Sequence, residues 1–205
     1  MPTSLANSTP SPTAPQATSA ERILATALDL FAVKGYDATA VREICEAAGI
    51  TKPTLYHFYG SKDGVLQALV TSGFERFRGL VDSALETPGT FRNKVKSLAR
   101  SLFKSTLEQP RYWRFMHGIV WAPHGTAPQT ADCQIFYEGV VSQLAAAADR
   151  AVKQGEIANG SIDVRMLILM GAISEAATGY VISGRPELTP QLADALIDQI
   201  FDGWK

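Results

Sequence analysis

The chain has 205 residues, 46% of them hydrophobic, with 19 basic against 20 acidic side chains and a net charge of -1. That length and apolar content fit one ordinary globular domain or two small ones, and the near-zero balance excludes a bulk electrostatic pull toward nucleic acid or anionic lipid. The two cysteines, Cys45 and Cys133, lie far apart within helical patterns, which argues against a disulfide framework or a metal knuckle and fits a reducing compartment.

Residues 1–19 contain no charged side chain and are rich in Pro, Ser, Thr and Ala, so they are expected to form a disordered tail. They also lack the basic-then-apolar order of a secretory leader. The first helix is predicted to open on a capping box between Thr18 and Glu21, with Ile23, Ala27, Leu30 and Phe31 on its apolar face and Gly35 as its stop. Thr39 is predicted to cap a short second helix whose Val41, Ile44, Cys45 and Ala48 face inward and whose end is Gly49. After a bend over residues 49–51, "KPTLYHFY" reads as a third short helix, with Pro53 tolerated in the first turn. Ser61 then caps a longer helix beginning at Lys62.

The remainder also carries helical periodicity. Val95, Leu98, Ala99, Leu102, Phe103 and Leu107 make one face of a helix whose other face repeats Arg92, Lys96, Arg100 and Lys104. That basic row is expected to be a solvated face. A short helix over "RYWRFMHGIVWAP", stopped by Pro123, is followed by one from Asp132 to Lys153, one from Asp163 to Ser183, and a last one after Pro190. No alternating strand pattern occurs, and the predicted fold is all-α. The apolar helix after Arg165 is interrupted by Glu175, short of the roughly 20 apolar residues of a membrane span. No membrane association and a cytoplasmic location are therefore expected.

Two short helices joined by a glycine bend and backed by a supporting helix describe a helix-turn-helix, whose second short helix can enter the major groove of DNA. Thr51 to Lys62 holds two lysines, several hydroxyls and three aromatics but no acid. Residues 20–70 nonetheless balance five basic against six acidic side chains. The acids are expected to lie on the supporting helices, leaving the reading helix and its N-terminal N–H groups to meet phosphate.

The run "AVREICEAAGITKPTLYHFYGSKDGVL", within a match over residues 21–66, resembles the tetracycline-repressor (TetR) family of bacterial transcription regulators. The resemblance implies a DNA-binding domain over residues 20–66 and a ligand-binding and dimerisation bundle over residues 67–205. It implies DNA contacts by Thr39, Thr51, Lys52, Pro53, Thr54, Tyr56, His57 and Lys62, whereas Phe58 and Tyr59 read as packing residues. A homodimer on a near-palindromic operator is expected, because one short helix reads only a few base pairs.

The small side chains Ala172, Ala176 and Gly179 line one face of a helix and suggest the dimer contact. Trp113, His117 and Trp121, with Phe136, Met166, Met170 and Glu175 as opposing walls, suggest a cavity for a small-molecule effector. Glu175 there would ask for a cationic or hydrogen-bonding partner. An acid-base pair of His117 and Glu175 in a helical enzyme is the alternative from another class, but no nucleophile, metal-ligand or phosphate-loop motif accompanies it. The reading is a ligand-responsive repressor without enzyme activity, cofactor or metal; an activator or a ligand-independent regulator is the variant on the same fold.

Overall fold

The computed structural model describes residues 17–120 and 132–203, and every regular element among them is a helix. The order is α1 (Ser19–Lys34), α2 (Val41–Ala48), α3 (Lys52–Tyr59), α4 (Lys62–Glu86), α5 (Phe91–Glu108), α6 (Pro110–Val120), α7 (Asp132–Lys153), α8 (Ile162–Ser183) and α9 (Pro190–Asp202).

Side-chain caps set several of these bounds. At α1 the Thr18 hydroxyl accepts from the Glu21 N–H at 3.2 Å while the Glu21 carboxylate accepts from the Thr18 N–H at 2.7 Å. Thr18 and Ser19 therefore belong to the helix rather than to the tail. The α2 cap differs from expectation. Ala40 occupies the cap position, and its N–H donates to the Glu43 carboxylate at 2.7 Å. Thr39 cannot serve, because it is 1% exposed and its hydroxyl donates to the Gly35 carbonyl at 2.8 Å. Gly49 closes α2 with φ 64° and ψ 42°, a left-handed conformation in which most side chains are strained. At α4 the Ser61 hydroxyl accepts from the Gly64 N–H at 2.9 Å.

Two apolar clusters organise the packing. The first joins Ile23, Ala27 and Phe31 of α1 to Ile44 and Cys45 of α2, Leu55 of α3, Val65 to Phe74 along α4, and Tyr112, Phe115 and Met116 of α6. The second fills the bundle of late α4, α5, α7, α8 and α9. Fully burying one such Leu, Ile or Phe side chain is worth roughly 1.5–3 kcal/mol, so each cluster can hold its helices together. The expected boundary between residues 66 and 67 falls inside α4, which contributes to both clusters.

The basic row of α5 is not a solvated face. α9 presents Asp194, Asp198 and Asp202 at the same four-residue spacing, antiparallel to it. Arg92 bridges to Asp198 at 3.3 Å and Asp202 at 2.8 Å, Lys96 reaches Asp198 at 2.7 Å, and Arg100 pairs with Asp194. Lys104 instead meets Glu108 of its own helix at 3.8 Å. Leu107, expected in the apolar face, is exposed.

Helix α8 is the one described helix long and apolar enough by composition to cross a membrane, so the interruption by Glu175 does not exclude a span on those grounds. Packing within the bundle accounts for one face, where Met166, Leu169, Met170 and Ile173 are buried. Its other face carries the exposed apolar side chains Val164, Leu167, Ile168 and Ile182.

Candidate nucleic-acid interface and effector cavity

Helix α3 is held by one side and open on the other. Leu55 is 0% exposed in the first cluster, and the Tyr59 hydroxyl donates to the Ala20 carbonyl at 3.0 Å, tying the end of α3 to the start of α1. Outward stand Thr51, Lys52, Pro53, Tyr56 and His57, all exposed, with Thr54 partly so. The Thr51 and Thr54 hydroxyls share a hydrogen bond of 2.9 Å, and the Thr51 side chain caps no backbone N–H of the first turn. The first turn thus keeps backbone N–H groups available to an anion. Phe58, expected to pack, is 46% exposed and stands edge-on to His57 with ring centroids 5.3 Å apart. An eight-residue helix offers too little inner face to bury it beside Leu55 and Tyr59.

Two expected contact residues are engaged elsewhere. Thr39 is buried, as above. The Lys62 ammonium donates to the Tyr36 and Thr39 carbonyls, each at 3.0 Å, and sits 4.1 Å from the centre of the Tyr36 ring. Two of its three N–H donors thereby pin the α1–α2 connection to α4. Five of the six acids of the head are also engaged, Glu21 at the α1 cap among them. Glu43 pairs with Lys34 and Glu46 with Arg42, both within the supporting helices, Asp29 pairs with Arg111 of α6, and Asp63 accepts from the Tyr36 hydroxyl. The lysine at the start of α3 faces no carboxylate of its own helix.

A cavity of about 160 Å³ lies between α4, α6 and α8. Of the expected effector residues, Trp113, His117 and Met170 line it. Met166 is buried in the bundle core without reaching the lining, and Glu175 is exposed on the outer face of α8, apart from it. His117 and Glu175 are therefore not brought together. Trp121 lies outside the described residues; Phe136 falls within α7, but its side chain is not among those described.

Sequence reasoning missed Phe74, Arg76, Leu80 and Tyr112, which also line the cavity. The α4 residues repeat at helical spacing, but nothing local marks that face as cavity rather than core. Gly73 is the one local signal, since a Cβ there would fall 1.6 Å from the Tyr112 hydroxyl oxygen. That hydroxyl donates to the Leu69 carbonyl at 3.2 Å, and burial pushes its pKa up to about 12.

Helix α6 belongs to both regions. Trp113 and His117 face the cavity, Phe115 stacks on Phe31 of α1 at 6.1 Å, and Tyr112 and Met116 touch both sides. Arg111 ties it to Asp29 of α1 at 2.9 Å, and Arg114 donates to the Val181 carbonyl of α8 at 3.1 Å. Helix α6 is thus both a wall of the cavity and a helix packed directly against the head.

The small-residue face expected for dimerisation is partly used within the chain. Ala176 is buried in the second cluster, and Gly179 lies against the loop after α8, where a Cβ would come 2.8 Å from the Arg185 carbonyl oxygen. Ala172 is half-buried. The exposed stripe of Val164, Leu167, Ile168 and Ile182 is the larger apolar surface on this helix.

The family model for bacterial regulatory proteins of the tetR family matches residues 23–69. The HTH-type transcriptional repressor KstR2 of Rhodococcus jostii (strain RHA1) is 38% identical over 77 residues, 36% of this chain and 38% of that repressor, so the chain spans under half the length of this curated relative. Over nearly the whole chain the fold is similar to that of the TetR family transcriptional regulator PfmR from Thermus thermophilus, with a TM-score of 0.75, 23% identity, and coverage of 93% of this chain and 99% of the other. It is likewise similar to the transcriptional regulator FadR of Bacillus subtilis in complex with stearoyl-CoA, with a TM-score of 0.76, 17% identity, and coverage of 89% and 97%.

Proposed function

From the premise that this chain is a TetR-family regulator, we propose that it is a ligand-responsive repressor that binds a near-palindromic operator as a homodimer. The observation that carries the reading is the open face of α3: Lys52, Pro53, Tyr56 and His57 are exposed while Leu55 is fully buried beneath them. Such a helix is rigidly seated yet free to enter a major groove, where donors and flat side chains meet base edges and phosphates. The repressor relative adds to the direction of control.

Two heads are needed for useful specificity, since one short helix reads few base pairs. Pairing of two chains through the outer stripe of α8 would supply them, with Ala172 as a neighbour of that contact and Ala176 and Gly179 beneath it. Burying Leu167 and Ile182, which are 73% and 70% exposed, would remove unfavourable apolar surface from water. Within each chain, a small molecule in the cavity displaces α6, and α6 displaces α1. For the ligand to release DNA it must bind more tightly to the DNA-incompetent spacing of the heads. The bound stearoyl-CoA of the FadR structure supports a ligand role for this fold.

The test is fluorescence anisotropy with a labelled duplex from the region upstream of the chain's own gene. Lys52→Ala and Tyr56→Ala are each expected to weaken binding about tenfold. Unchanged affinity in both variants would remove α3 as the reading helix.

A further inference from the structure

The cavity between α4, α6 and α8 has an unequal inventory of polar groups. Its walls are largely apolar, with Phe74, Leu80, Met116, Met170 and Val181 among them. Trp113 Nε1 is buried and has no hydrogen-bond partner among the described residues. An indole nitrogen can only donate, and a buried donor without an acceptor is costly. Arg76, exposed at the mouth, adds a guanidinium that also only donates. It is held 5.1 Å above the Tyr112 ring and gives one N–H to the Gln109 side chain, leaving further donors available. Tyr112 already donates to Leu69. Ser174 and Thr178 on α8 can donate or accept, and His117 also lines the space. No carboxylate is among the described lining residues.

We propose that the effector is an apolar carboxylate: its oxygen accepts from Trp113 Nε1, its charge lies toward Arg76, and its hydrocarbon body rests on the walls of α4 and α8. This deepens the regulator reading and rests on it for the word effector. A cationic ligand, which Glu175 would have suited, meets Arg76 instead and finds no acid among the described lining residues. The space of about 160 Å³ is of the size that holds a single ring or a short alkyl chain.

Isothermal titration of the full chain with octanoate, 1-octanol and octyltrimethylammonium separates charge from apolar body. Octanoate is expected to bind about tenfold or more tightly than the ammonium, by the usual strength of a charge-assisted hydrogen bond. Trp113→Phe keeps a ring in place but removes the N–H; octanoate affinity should fall about tenfold, while toluene, which has no acceptor oxygen, should not bind more weakly. Arg76→Gln, at an exposed position, should narrow the gap between octanoate and octanol.

Equal or tighter binding of the ammonium, no octanoate binding at millimolar concentration, or octanoate affinity unaffected by Trp113→Phe in a folded variant would each overturn the proposal. Anisotropy with the operator duplex keeps the two readings apart. Selective octanoate binding by a protein that binds no duplex would leave the ligand class standing and remove the regulator, and duplex binding without octanoate preference would do the reverse.

Discussion

Thr39, Lys62 and Lys52 show how a side chain's existing partners decide whether DNA can claim it. The Thr39 hydroxyl is enclosed and bonded to the Gly35 carbonyl. Thr39→Val should lower unfolding free energy by about 1 kcal/mol, measured by urea titration, and leave the duplex affinity of the folded protein unchanged. A weaker duplex complex at an unchanged urea midpoint would mean that Thr39 turns outward on binding. Lys52 stands exposed at the first turn of α3. In Lys52→Ala the slope of log affinity against log salt should fall by about 1 per head, with little change in thermal midpoint. Lys62→Met should show the opposite balance, a clear loss of stability with a smaller change in salt slope, because two of its donors hold backbone carbonyls.

Between elements, the antiparallel pairing of α5 with α9 joins an apolar seam to a line of ion pairs. Asp198 serves both Arg92 and Lys96. These pairs are only partly shielded, so Asp198→Ala should cost about 1 kcal/mol or less in 0.1 M salt, with a larger loss at low ionic strength. Asp194 adds a pH signature. The side-chain hydrogen bond from Arg100 holds its carboxyl below the ordinary carboxylate range, with the Arg100 and Lys96 charges adding to this and slight burial opposing it. A depressed folded pKa contributes stability that is complete above the unfolded carboxylate range and is lost as pH falls through the folded value. Asp194→Asn should therefore make stability less steep in acid, read as urea midpoints between pH 6 and pH 3; an unchanged slope would show that the pair does not persist in solution. Helix α6 acts at this scale too, since Phe115 and Trp113 bind opposite neighbours from one short segment.

At the scale of the whole molecule, the head and bundle are packed through α4 and α6, while α8 leaves an apolar face uncovered. If that face joins two chains, Leu167→Glu places a charge in the middle of the contact. Sedimentation velocity at micromolar concentration should then show a monomer, and operator affinity should collapse although each α3 is intact. A Leu167→Glu protein that sediments as a dimer would move the contact elsewhere on the chain.

The helix-turn-helix was legible from residue order, because its signals are local: a capping box at Thr18 and Glu21, a left-handed Gly49, Pro53 in a first turn and Ser61 at a cap all act within a few residues. Trp113, His117 and Met170 were legible as candidate cavity residues by their type and spacing. What only the tertiary structure decided is which polar groups are already engaged. Thr39 turns inward, Lys62 binds a neighbouring turn, the α5 basic row meets α9, and Glu175 points away from the cavity that Arg76 and Tyr112 help to line. Except for the Gly35 carbonyl beside Thr39, those partners lie in other segments, often far along the chain, and helical periodicity fixes a face without saying which neighbour covers it.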